Sequence, residues 1–436
     1  MSAPYTAQFA AFSSNGGGEG PSWLPALRAK AFERFASLGF PTTRDEDWHF
    51  TSVTPIAERT FKAVKPAATT LTLSDLEPWL VDESWQRLVF VNGKFEPSLS
   101  NFSELPADVQ VSTLSDALRE EPEWVKQRLG TLAAFDRAAF TAMNTAFMQD
   151  GVVVHVPKGE LVEVPLHILH VTDAQAAGAA VHPRLLVVAE AQSQITLIES
   201  YVGLGQASYL VNGVAEISVG DGARVDHYKI QRDGIEAFHV GTVQVTQGKD
   251  SIYHSFSYAA GAALSRTNVY TKLAGTGGEA RLNGLYVLDG TQHADHQTFV
   301  EHLAESCASR ELYLGILDGS SHGVFNGKVY VDPIAQKTDG KQTNKALLLS
   351  PTARIDTKPQ LEIFADDVKC THGATIGKLD EQALFYLKSR GIGGENARAL
   401  LTYAFAAQVL ETIEIDALRL TLERAIFQRF TNLALE

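Results

Sequence analysis

"ARVDHYKIQ", residues 223–231, is the stretch on which the fold turns. It follows a "GDG" turn and reads as a short strand bounded by turn residues. Its opening returns twice, as Ala280-Arg281-Leu282-Asn283 after "TGGE" and as Ala353-Arg354-Ile355-Asp356 after "SPT". The same texture runs on both sides of it, from Gly151 onward. "GVVVHVPKG", "SQITLIESYVG" and "GKVYVDP" are short alternating segments punctuated by Gly, Asp and Asn, with little helical periodicity. A recurring signature of this kind suggests stacked turns, each covering the apolar face of the last. The separations, 57 and 73 residues, are uneven, so no strict period holds. A β-sandwich also fits many short strands. Length without a domain break, together with the signature, favours the solenoid. The expected fold is mainly β: a right-handed parallel β-helix over 151–378, flanked by N-terminal and C-terminal α-helical domains.

Residues 1–22 read as a flexible tail, rich in Gly and Ser near its end. Residues 23–150 read as a helical domain with a short hairpin. "WLPALRAKAFERFASLG" puts Leu24, Leu27, Ala31, Phe35 and Leu38 on one helical face, and Gly39 is a plausible stop. "WQRLVFVNGKF" carries an Asn-Gly turn between two strands, and 113–148 reads as two helices divided near Gly130. Residues 379–436 are helical again, starting at an Asp380 N-cap, with Leu418, Leu422, Ile426, Phe430 and Leu433 on one stripe. These helices are more apolar than lone surface helices need to be. They either cap the solenoid's end or dock another protein.

The chain has 436 residues, 45% hydrophobic and 20% charged, with a formal net charge of −14. That balance, with no Lys/Arg cluster, argues against nucleic acid as a partner. No apolar run approaches the ~20 residues that span a bilayer, and the first residues lack the pattern of a secretory signal. Two cysteines make no disulfide framework, so a reducing cytoplasm is the expected location. An iron–sulfur cluster usually takes about four thiolates, so this chain cannot wrap a conventional one alone. Any cluster it touches must be shared.

Several short motifs fail on inspection. "GSSHG", 319–323, imitates a nucleophile elbow, but a strand pattern follows where a helix is required. "GVFNGKV" and "HGATIGKL" imitate phosphate loops, yet His322 and His372 replace the leading Gly, and Val329 and Leu379 replace the hydroxyl residue. Any ATP-driven step therefore needs a partner. In "HADHQTFVEH", strand alternation puts His293 and Asp295 on one face and His296 and His302 on the other, which suits polar strand residues better than a metal cluster. In "DDVKCTHGATIG", a strand would give Val368, Cys370 and His372 one face, with the Cys370 and His372 Cα atoms roughly 6.5–7 Å apart. Both are ligand types suited to iron, zinc or copper(I). As a bare pattern the pair fits a structural cysteine beside a satisfied histidine better than a metal site.

The surroundings add to that pattern. "NKALLLSPTARIDTKPQLEIFADDVKCTHGATIGKLDEQALFYLKSRGI", 344–392, resembles the C-terminal hallmark of the SufB/SufD family. "SSHGVFNGKVYVDPIAQKTDGKQTN", "HADHQTFVEH" and "GVVVHVPKG" extend the likeness through the core in the same order. The resemblance implies a non-catalytic scaffold subunit, not an enzyme, for assembling nascent iron–sulfur clusters that pass to apo-proteins. It implies pairing with SufB through the β-helix and docking of two copies of the SufC ATPase on the C-terminal helices. Leu384, Phe385, Tyr386, Arg390, Tyr403 and Phe405 are the candidate SufC contacts. SufB carries a cysteine where Asn344 stands here and a glutamate where His372 stands. With "TTRDEDWHFTSV" near its start, the chain is similar to the SufD branch. That likeness implies His372, with Cys370 adjacent, as its share of a transient cluster site at the SufB boundary. No cluster is expected to stay on the isolated chain, and the related pairing geometry would permit a homodimer. The competing readings are a carbohydrate-active solenoid and a self-contained metalloenzyme using Cys370, His372 and a distant histidine. For the first, the adjacent Asp366 and Asp367 make a poor acid/base pair.

Overall fold

The computed structural model describes residues 3–14, 20–64, 68–102, 105–120 and 122–431. Its centre is a parallel β-solenoid of about eight turns, whose regular strands alternate between two sheets. One sheet holds β1 (Gln194–Gly203), β3 (Arg224–Arg232), β5 (Ile252–Ala259), β7 (Glu279–Leu288), β9 (Ala308–Leu317), β11 (Asp339–Leu348) and β13 (Lys369–Gly377). The facing sheet holds β2 (Leu210–Val219), β4 (Phe238–Gln247), β6 (Leu264–Leu273), β8 (His293–His302), β10 (His322–Val331) and β12 (Arg354–Ile363). Neighbours pair parallel, residue against residue, so each side chain stacks on its counterpart one rung away.

The rungs explain why the sequence repeat is uneven. From β6 the even-numbered strands start at Leu264, His293, His322 and Arg354, intervals of 29, 29 and 32 residues. Ala223 and Ala280 stand two rungs apart on one sheet, whereas Ala353 opens a strand of the other. All three alanines are buried where the chain turns into a strand. The backbone repeats more faithfully than the residues. Two positions before β1, β3, β5, β7, β9 and β11 stand Gln192, Gly222, Asp250, Gly277, Ser306 and Lys337, all left-handed with φ between 51° and 77°. Glycine adopts that conformation most readily, yet only two of the six are glycine.

Inside, Val225, Tyr253, Leu282, Val269, Val300 and Phe325 meet across the two sheets as one core. Burial on both faces suits these near-continuous apolar strands. The N-terminal region covers the even-numbered sheet. Residues 1–22 are not simply a tail: α1 (Ala3–Ser14) is a helix that buries Tyr5 and Phe12 against α2 (Leu24–Leu38) and α3 (Ala139–Phe147). Tyr5, Phe9 and Phe12 stand at i, i+4 and i+7, the spacing of one helical face. Residues 15–19 and 432–436, including Leu433, lie outside the described residues. The expected boundary at 150 also gives way. Gln86–Val91 pairs with Leu166–Thr172, and Gln110–Thr113 pairs with Gly151–Val156, so the earlier region supplies strands to the first rungs. The Asn92–Gly93 hairpin is present, with φ of 52° and 81°. Residues 113–148 hold three helices, not two: Leu114–Glu120, Glu123–Arg128 and α3, with Gly130 at φ 76° before the last.

The C-terminal helices are α4 (Glu381–Ser389), α5 (Gly394–Leu410) and α6 (Asp416–Phe430). They do not cap the solenoid's end. Ala406, Val409 and Leu422 pack on Ile230, Phe256 and Leu314, the outer face of the odd-numbered sheet. An apolar stripe, from Ile198 through Ile230, Phe256 and Leu285 to Leu314, runs along that flank, and the helices clad it and leave the β12–β13 end uncovered.

Candidate functional site

The uncovered end brings the candidate ligands into view. β13 is a strand, as expected, and its alternation turns Cys370 and His372 toward the lumen side. Register places His372 on the column Leu282, Glu311, Gln342, His372, and Cys370 on the column Ala280, Ser309, Gly340, Cys370. Asn344 faces the lumen one strand below, buried, its amide donating to the Tyr313 carbonyl at 3.0 Å. Because β13 is the last strand, nothing of the described residues stacks above it. His372 is exposed, and Cys370 is half-buried against the Val329–Val331 cluster. That burial pushes the Cys370 thiol up, so it keeps its proton at neutral pH until a metal or a base displaces it.

Two further features mark this end. β12 and β13 each present a free backbone edge, the usual template for pairing with another strand. Around them stand Ile363, Phe364 and Ile376, exposed by 37%, 58% and 51%. Such a rim buries apolar area if another solenoid stacks on it.

Among the described residues no third Cys, His, Asp or Glu joins Cys370 and His372 within coordinating reach. One group of three does exist elsewhere: Asp226, His254 and Glu414. Its centre is already filled by a cation. The Arg224 guanidinium bonds Asp226 at 2.9 and 3.0 Å and also bonds Glu414. This is a clasp between β3, β5 and the α5–α6 turn, and Tyr228 adds a 3.4 Å bond from the Glu414 amide.

The remaining sequence candidates resolve into structure. His293 and Asp295 share the outer face of β8 and seat the loop around Trp48. Thr51 donates to Asp295 at 2.5 Å and lies 2.9 Å from His293 Nε2, and Arg266 bonds Asp295 at 2.6 Å beneath the Trp48 ring. His296 and His302 face the lumen, so the four never converge. Ser321 is buried at the start of β10 with its hydroxyl on the Asp318 carbonyl at 2.7 Å, which is no nucleophile elbow. Both phosphate-loop imitations lie in or beside strands, β10 and β13. Asp366 and Asp367 fall in the turn between β12 and β13.

The six candidate docking residues divide into two groups. On α4, Phe385 and Tyr386 are exposed by 75% and 55%, Leu384 is half-buried, and Arg390 lies over the Tyr386 ring at 5.1 Å. On α5, Tyr403 and Phe405 are half-buried: Tyr403 meets the Phe427 ring edge-on, and both pack on the cladding core. The unassigned signal was exposure on α4, which no periodicity in the sequence displays.

These features define a class: a parallel β-solenoid clad by helices on its flanks, with a cysteine and a histidine sharing the lumen face of its unpaired terminal strand. The chain belongs to the SufBD family. Residues 170–405 match the family described as "SUF system FeS cluster assembly, SufBD core domain", and residues 3–168 match "SufBD protein N-terminal region". A SufBD family protein of iron–sulfur cluster assembly from Synechocystis is 36% identical over 414 residues, 93% of this chain and 91% of that one. The iron–sulfur cluster assembly protein SufD of Escherichia coli is 32% identical over 91% of both chains, and SufD of Bacillus subtilis 28% over 92% of both. No helix of the described residues is long and apolar enough to cross a membrane.

Proposed function

We propose that this chain is a SufD-type scaffold subunit, without catalytic chemistry of its own, on which iron–sulfur clusters are assembled. One observation carries the reading: a thiol and an imidazole share the lumen face of a terminal strand whose backbone edge and apolar rim are both free. Thiolate and imidazole suit iron, and two ligands are about half of what a cluster takes. A second solenoid, SufB, stacks on this end and supplies the rest, so the cluster is a shared and transient cargo. The same edges also allow a second copy of the chain to pair when SufB is absent. SufC docks on α4, where Phe385 and Tyr386 stand free. Nucleotide-driven movement there reaches the sheet through the Arg224–Glu414 clasp. Both cysteines are free thiols, which suits a reducing cytoplasm. The finished cluster leaves for apo-proteins.

Two experiments test this. Co-expressed with SufB and SufC, His372→Ala lowers the iron and sulfide content of the complex more than Cys370→Ala does. Undiminished content in both variants removes the site. Separately, Phe385→Asp with Tyr386→Asp abolishes SufC pull-down while the fold survives, since both rings are exposed; persistent binding removes α4 as the docking helix.

A further inference from the structure

The lumen beneath the open end is polar in a way the fold does not need. Glu311 is 3% exposed in the middle of β9. Thr298 of β8 donates across the lumen to one of its oxygens, and Gln342 Nε2 of β11 donates to the other at 3.2 Å. Burial pushes this carboxyl up to about 7. The next ring along holds His296, stacked on Tyr286 at 4.9 Å and tilted against Tyr313 at 5.5 Å. Two glycines make that ring possible: a Cβ at Gly284 would stand 2.3 Å from the Tyr313 ring, and one at Gly315 equally close to the Tyr286 ring.

Polar atoms here without a hydrogen-bond partner include both His296 nitrogens, the Tyr313 hydroxyl, Gln342 Oε1 and Asn344 Oδ1. They belong to side chains that are 0–2% exposed. Buried polar groups are otherwise almost always bonded, and ordered water is the usual partner where protein offers none. The mixture is donors and acceptors with one carboxyl, which suits water and not a metal ion. By register the set leads to the exit: Glu311, Gln342 and His372 are successive members of one column.

We propose that the last rungs of the lumen form a hydrated passage from the open end to Glu311, and that Glu311 is the internal proton acceptor for that end. The other titratable side chains on this stretch of the lumen include Tyr253, Tyr286, Tyr313, His296 and His302. Burial holds the tyrosines up and both histidines down at about 4, so these are neutral at pH 7. Glu311 alone is poised to take up a proton there.

The test uses the full chain without metal or partner, so its failure leaves the ligand assignment to be judged by cluster content. Infrared titration is expected to show a carboxylic-acid band with a midpoint near 7, absent in Glu311→Gln. In D2O the band is expected to exchange within seconds in the native chain and at least tenfold more slowly in Gln342→Leu. A crystal structure should show water on His296 and on Gln342 Oε1. No titrating band, equally fast exchange in Gln342→Leu, or a dry lumen would each overturn the proposal, and the crystal structure decides it even if Gln342→Leu fails to fold.

Discussion

From β1 to β4 the lumen is filled by charged groups that answer one another; from β7 to β13 it is lined by polar groups that do so only in part, with several atoms left unbonded. In the first stretch Lys229 Nζ donates to His239 Nε2 at 2.9 Å, and His239 Nδ1 donates to Asp233 at 2.9 Å. Gln231 and Tyr209 complete Asp233 at 2.9 and 3.0 Å, while Tyr201 and His227 bond Glu199. Burial makes His239 neutral and lowers Lys229 to about 8, with Glu199 and Asp233 opposing that fall. Burial also pushes Glu199 up, but the bond and charge of His227 outweigh it and leave about 2. Such a set is expensive to break, because each loss strands a buried charge. The second stretch has little of this mutual satisfaction and ends in an exposed histidine. One part of the lumen fixes the fold; the other is left available.

That contrast can be broken from either side. The largest effect belongs to the satisfied stretch: Lys229→Met removes the bond to His239 and the buried positive charge that attracts Glu199 and Asp233, and is expected to cost about 3–5 kcal/mol, read from urea unfolding. Next comes Glu311→Gln. The Glu311 carboxyl sits above its ordinary 4.5, at about 7, so the folded state holds the proton more tightly. Its stabilising share is full below pH 4.5 and is lost as pH rises through 7. Between those values the native chain should lose about 3 kcal/mol relative to the glutamine variant. The lowered histidines act in the opposite sense in acid, so the comparison between variants isolates Glu311.

Smaller in stability but decisive for assembly, Phe364→Asp or Ile376→Asp should weaken pairing with SufB by about 2 kcal/mol, roughly 30-fold, in a binding titration. Either change should move unfolding by no more than about 0.5 kcal/mol, since both side chains are exposed. The smallest stability effect, within the same ~0.5 kcal/mol, is expected for His372→Ala, whose consequence appears instead in cluster content.

Much of the architecture was legible in the sequence, and its exceptions are instructive. Strand alternation sorted His293 and Asp295 from His296 and His302, and it put Cys370 with His372, because side-chain direction in a strand depends only on parity. The repeat was blurred because Gln192, Asp250, Ser306 and Lys337 hold the same left-handed corner as Gly222 and Gly277, and conformation leaves no letter in the sequence. α1 hid behind the Gly-rich segment that follows it. The strands at 86–91 and 110–113 could not be assigned to the solenoid, since their partners lie many residues away. The Cys370–His372 pair was visible as residue types suited to a metal. That it stands on an open end, above Glu311 and Gln342, is a fact of register.

Everything depends on that end being incomplete by itself. The direct measurement is iron and acid-labile sulfide per chain after anaerobic reconstitution, for the chain alone and for its complex with SufB and SufC. Cluster is predicted only in the complex, and less of it with His372→Ala. A full, stable cluster on the isolated chain would contradict the account.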